Sequence, residues 1–154
     1  MTLEALSQIG EAVGGVAVVA SLVYLVIQIR QNTRSIRSAT YQSIVAAAAA
    51  CNQTLSRDKA LARVMRVGRA DPSALDADEQ LQFDFLCLQF FDIFENLHLQ
   101  HLHGVLDDAY FAPRHRSFLE LFDNPGFAER WAAHRESYTP SFRELMEAGL
   151  TRRR

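Results

Sequence analysis

Lysine is nearly missing from this chain: Lys59 is the only one, and arginine carries almost all the positive charge. The formal net charge is only −2, which provides no general attraction to nucleic acid, and no nucleic-acid partner is expected. Cysteine is scarce too. Cys51 and Cys87 form no Cys-x-x-Cys motif, lie in apolar helical runs, and are expected as free buried thiols rather than as a disulfide. No glycine-rich phosphate loop occurs, and no serine or cysteine sits in a strand-to-helix elbow. Nucleotide chemistry and nucleophilic catalysis thus lack their usual signatures, and an enzyme is not expected. No segment sustains the period-two alternation of a half-buried strand, so the fold class is all-α.

Charge is also missing from one long stretch. Between Glu11 and Arg30 lie 18 uncharged residues, AVGGVAVVASLVYLVIQI. A hydrocarbon core of roughly 30 Å asks for about 20 apolar residues at 1.5 Å of rise each. The run is therefore expected to be a transmembrane helix near the short limit. A signal peptide would want a basic start and a shorter apolar stretch, but no lysine or arginine precedes this one. A helix buried in a core or an oligomer is the stronger rival, because Ser21, Tyr24 and Gln28 soften the run. A helix apolar on every face, however, needs partners all round it. Arg30, Arg34 and Arg37 follow the run closely, and by the positive-inside rule that side is cytoplasmic. The short N-terminus is then outside.

Neither glycine nor proline occurs between Ile29 and Gly68, so the spanning helix is expected to continue into the cytosol. The line Ile29, Thr33, Ile36, Thr40, Ile44, Ala47, Cys51, Leu55 advances in steps of three and four, as one helix face does. Unbroken from Thr2 to Leu55, such a helix would be about 80 Å long. The expected organisation is a tail and span over residues 1–30 and a cytosolic helical domain over 31–154. Ser56 is read as the cap of a second helix that ends near Gly68. Asp76 and Glu79 have the spacing of a capping box. They open the apolar helix LQFDFLCLQFFDIFENLHLQHLH, with Phe83, Leu86, Phe90, Ile93 or Phe94, and Leu97 inward, closed by Gly104. Asp107 or Asp108 caps the next helix, which turns Phe118, Leu119 and Phe122 inward, with Pro113 tolerated near its start. Asp123 to Gly126 is read as a turn, a helix with Phe127 and Trp131 follows, and Thr139-Pro140 starts the last one.

These residues carry a resemblance. Gln28-Ile29-Arg30-Gln31-Asn32-Thr33 after an apolar helix, Phe94-Glu95-Asn96 with Gln100, Gly104 with Leu106-Asp107, and Thr139-Pro140-Ser141-Phe142 resemble the pattern of a family of small proteobacterial single-span membrane proteins. The resemblance spans nearly the whole chain. It implies one span and a helical cytosolic domain in the bacterial inner membrane, and it brings no activity with it.

Three constellations invite a function. Gly10, Gly14, Ala17, Ser21, Tyr24 and Gln28 recur in steps of four and three, giving one small-then-polar helix face. In lipid, helices associate through close approach over small residues and interhelical hydrogen bonds, so this face is the candidate oligomer interface. The stripe continues through Gln31, Ser35, Ser38 and Gln42. A ring of such helices could instead line a polar path, giving a small homo-oligomeric channel or membrane sensor. Glu95 and His98 have the Glu-x-x-His spacing of bundle-core metal sites, and His101 could add a ligand. One such pair is too few, so no metal or other cofactor is expected; a metal-binding bundle enzyme would need a symmetry mate to complete the set. Glu95, Asn96 and Gln100 could alternatively form a buried polar network. The expected function is a membrane-anchored structural, scaffolding or accessory protein whose partners are lipid and further copies of itself or a larger membrane complex.

Overall fold

The computed structural model describes residues 3–152, with side-chain surroundings from residue 14 onward. Every regular element among the described residues is helical. The α-helices are α1 (Leu3–Arg57), α2 (Lys59–Ala70), α3 (Ala77–Leu102), α4 (Asp108–Glu120), α5 (Pro125–His134) and α6 (Pro140–Thr151). Short 3-10 turns occupy Pro72–Ala74, Leu121–Asp123 and Arg135–Ser137. By its internal contacts the chain divides into Met1–Ala39 and Thr40–Arg154.

Local chemistry places most of the helix ends. Asp76 accepts from the Glu79 amide at 2.9 Å while the Glu79 carboxylate reaches the Asp76 amide, closing the capping box at the start of α3. Gly104, at φ 69°, ends that helix in the left-handed region, and the amides of Gly104 and Val105 return to the carbonyls of His101 and Gln100. Asp107 caps α4 through the Tyr110 amide. Pro125 and Pro140 open α5 and α6 at positions where a missing N–H costs nothing. Pro113 lies in the second turn of α4, where its ring deprives the Ala109 carbonyl of its helical donor.

Two readings of the second helix are corrected. Its cap is Asp58, which accepts from the amides of Ala60 and Leu61; Ser56 remains inside α1 and donates to the Gln53 carbonyl. A carboxylate in extended backbone both accepts the orphan amides and complements the helix dipole, which a serine two residues earlier cannot do. Nor does α2 stop at Gly68. That glycine is buried inside the helix, because α5 crosses it: a Cβ on Gly126 would overlap the Gly68 carbonyl oxygen and approach the Arg69 Cα to 3.0 Å. Gly126, read as part of a turn, belongs to the first turn of α5 and lets two backbones meet.

In the unit Thr40–Arg154 the core is built largely of aromatic rings. Phe91, Phe142 and Met146 have no exposed surface, and Phe83, Phe127 and Trp131 are buried beside them. Phe91 is the hub, with Trp131 at 5.4 Å, Phe122 at 5.9 Å and Tyr138 at 6.1 Å between ring centroids. Phe94 stacks on Phe118 at 4.0 Å. Of the expected inner stripe of α3, Phe83, Leu86, Phe94 and Leu97 are buried, and one position differs. Phe91 and Cys87 are buried where Phe90 was expected, and Phe90 and Ile93 are only half-buried. From α1 this core takes Ile44 and half-buried Leu55, and Cys51 of the same line is buried too. Ala47 is exposed while its neighbour Ala48 is half-buried.

Candidate functional site

The first site is the stripe on α1. From Gly14 to Ala39 no side chain is buried, and Val16, Leu22 and Leu25 are 71%, 58% and 52% exposed. The helix is long and apolar enough to cross a membrane. Within the stripe the polar groups bond along their own helix. The Ser21 hydroxyl donates to the Ala17 carbonyl at 2.8 Å, and the Gln28 amide donates to the Tyr24 hydroxyl at 2.6 Å. Off the stripe, on the line of Ile29, the Thr33 hydroxyl donates to the Ile29 carbonyl at 2.9 Å. Such back-bonding reduces the cost of a polar side chain in a water-free medium. It also leaves spare capacity, since Gln28 has a second N–H and a carbonyl, and Tyr24 has its own O–H. A Cβ on Gly14 would meet nothing within 4 Å, so this position is open along the flank of the helix. Gly10 lies outside the residues whose side-chain surroundings are described.

The residues weighed for a metal sit on α3, and each has another partner or none. Glu95 accepts the Thr139 backbone amide at 2.7 Å and so caps α6 from a neighbouring helix. His98 is buried among Phe111 and Phe142 and makes no hydrogen bond of good geometry, although the Ser141 backbone is near. His101 lies flat on Phe111 at 4.2 Å, shares its Nδ1 with the Leu106 carbonyl, and meets Asp108 at 3.3 Å. Among the described residues no three metal-ligating groups converge. Nor do Glu95, Asn96 and Gln100 join in one network: Asn96 is exposed, and its contact with Gln100 is a long 3.4 Å.

Instead α3 presents a row of carboxylates that α5 and the start of α6 answer. Arg130 pairs with Asp84 at 2.8 Å, the Tyr138 hydroxyl donates to Asp92 at 3.1 Å, and Thr139 donates to Glu95. Burial, reinforced by the negative charge of Asp92, raises the Tyr138 phenol well above its ordinary range, so it remains a donor. The Arg130–Asp84 pair was not foreseen in the sequence, because its members lie on separate helices with no local spacing to connect them.

A second feature was also missed. His115 of α4 stacks against Phe94 and Phe111, so that three imidazoles, His98, His101 and His115, surround the Phe111 ring. Burial lowers the His98 pKa, helped by His101 and opposed by Glu95. Burial likewise lowers that of His115, with His98 and Arg152 adding repulsion. Both rings are held neutral near pH 7. Burial also pushes the Cys87 thiol up to about 12, aided by Asp84, and both cysteines are free and buried.

No protein-family model, curated protein or solved structure matches this chain.

Proposed function

We propose that this chain is a membrane-anchored structural or accessory protein of the bacterial inner membrane. It spans the bilayer once through the apolar part of α1 and presents residues 31–154 as a cytoplasmic helical domain. The observation that carries this reading is the exposure of every side chain over residues 14–29, the described part of the uncharged stretch of α1. Large apolar surface left bare to water is costly, and a bilayer covers it without a protein partner. Arg30, Arg34 and Arg37 support an orientation with the helical domain inside and the short N-terminus outside.

Self-association through Gly14, Ala17, Ser21, Tyr24 and Gln28 completes the proposal. The open flank at Gly14 supports close helix approach, and the spare donors on Gln28 and Tyr24 support hydrogen bonds between copies. Light scattering of the full-length protein in mild detergent, with the detergent mass subtracted, tests it. A defined oligomer whose mass falls on Gly14→Leu is expected; an oligomer indifferent to that change would remove the interface. Replacing Arg30, Arg34 and Arg37 together by glutamine should scramble orientation in a reporter-fusion assay, and an unaltered topology would refute the role given to the arginines.

A further inference from the structure

The unit Thr40–Arg154 carries an open apolar groove of about 490 Å³ between α1, α3 and α4. Buried Phe94, Leu97 and Phe118 line it. On the α1 side Ala48 and Ala49 present one methyl each, so that wall is low. The volume falls in the range of small-molecule sites, about 300–1,000 Å³.

Among the lining residues one is charged, Arg114. Its guanidinium carbon lies 3.4 Å from the centroid of the Tyr110 ring, and it donates to the Tyr110 carbonyl at 3.1 Å. Among the described residues no carboxylate pairs with it. The Tyr110 hydroxyl, shielded from solvent, makes no hydrogen bond of good geometry although Arg114 is near. Arg114 is exposed and held over the Tyr110 ring, so its guanidinium and the shielded Tyr110 hydroxyl stand together at one end of the groove as donors suited to an anionic acceptor. The rest of the lining asks for hydrocarbon.

We propose that this groove binds a single-chain amphiphile with an anionic head, such as a fatty carboxylate or the corresponding part of an acidic lipid. Its chain lies over Leu97 and Phe118 and its head against Arg114 and Tyr110. Charge complementarity selects this occupant, because an apolar helix from a protein partner would leave Arg114 unanswered. Every residue that lines the groove belongs to the unit Thr40–Arg154, and none to the apolar stretch of α1.

The test uses full-length protein in phosphatidylcholine nanodiscs with a diazirine-bearing palmitate, its labelling sites mapped by mass spectrometry. Labelling of residues 44–52 and 117–121 is expected. Ala49→Trp should abolish it by filling the groove from an exposed position. Arg114→Gln should cut it about tenfold, the worth of one hydrogen bond to a charged group, and leave labelling by the matching diazirine alcohol unchanged. Competition by free palmitate or by added phosphatidylglycerol identifies the source of the anion, and displacement by neither overturns the proposal. It is also overturned if both variants label as the parent does, if label is confined to residues 14–29, or if label falls as copies associate, which would make the groove a subunit contact.

Discussion

Residues 16–29 of α1 and residues 83–97 of α3 are comparably rich in large apolar side chains, yet they meet opposite surroundings. Val16 is 71% exposed, whereas Phe91 is fully enclosed. The difference lies in how charge is distributed around each helix. On α3, Asp84, Asp92 and Glu95 interrupt the apolar row, and each has a donor waiting on α5 or in the Tyr138-Thr139 link that leads into α6. The helix therefore has faces of different character, and its apolar one is matched by aromatic rings from α4, α5, α6 and the links between them. Along residues 16–29 of α1 no face is charged, so no face tells a soluble neighbour where to sit. Hydrophobicity with direction builds a core, and hydrophobicity without it seeks a medium.

The contrast can be broken first at its aromatic hub. Phe91→Ala should destabilise the unit Thr40–Arg154 by about 3–5 kcal/mol, read by denaturant unfolding with near-ultraviolet dichroism, because the cavity would open where five rings meet. Membrane insertion should survive it. Loss of both together would show that α1 depends on the core it is contrasted with. Gly126→Ala comes next: the new methyl meets the Gly68 backbone rather than a side chain that can swing away, and about 1–3 kcal/mol of overpacking is expected. An alanine variant as stable as the parent would disprove the close crossing of α2 and α5.

Acid should distinguish the two regions more gently. In the unfolded chain His98 and His115 protonate near the ordinary value of about 6.5. Folding lowers both pKa values, mainly through burial, with His101 and Arg152 adding positive charge and Glu95 opposing at His98. Below about 6.5 the unfolded state thus binds more protons, so stability is complete above that pH and declines as pH falls toward the lowered values. Unfolding midpoints measured across this window should fall, and His98→Leu should flatten the decline. A midpoint that rises on acidification would show that these rings are paired with an acid, and a flat one that they are solvated. Least of all should Cys87 and Cys51 respond to a maleimide at pH 7.5. Their burial, and a Cys87 thiol pushed up to about 12, keep them protonated and out of reach, and rapid native labelling would reveal an opening of the core.

Elements whose causes are local were open to reading in advance. The capping box at Asp76 and Glu79, the left-handed stop at Gly104 and the proline starts of α5 and α6 depend on groups a few residues apart. Where two local solutions compete, reading was less sure. Asp58 displaced Ser56 as a cap because the preceding helix could extend as far as Arg57. The Phe90 and Phe91 rows of α3 are both apolar at helical spacing, and only the helices packed against them select Phe91. Glycine was misread at Gly68 and Gly126 because a close backbone approach and a turn demand the same missing side chain.

The sequence by itself determined a helical chain, its principal breaks, and one uncharged run long enough to cross a membrane, since propensity, capping and charge act over one or two turns. Only the tertiary structure decided that Glu95 caps α6 instead of joining a histidine, that His98 and His115 lie against Phe111, and that Arg114 is held over the Tyr110 ring at an apolar groove. Each of these depends on side chains from separate helices. Their meeting is set by how the whole core closes, a choice that no local pattern encodes.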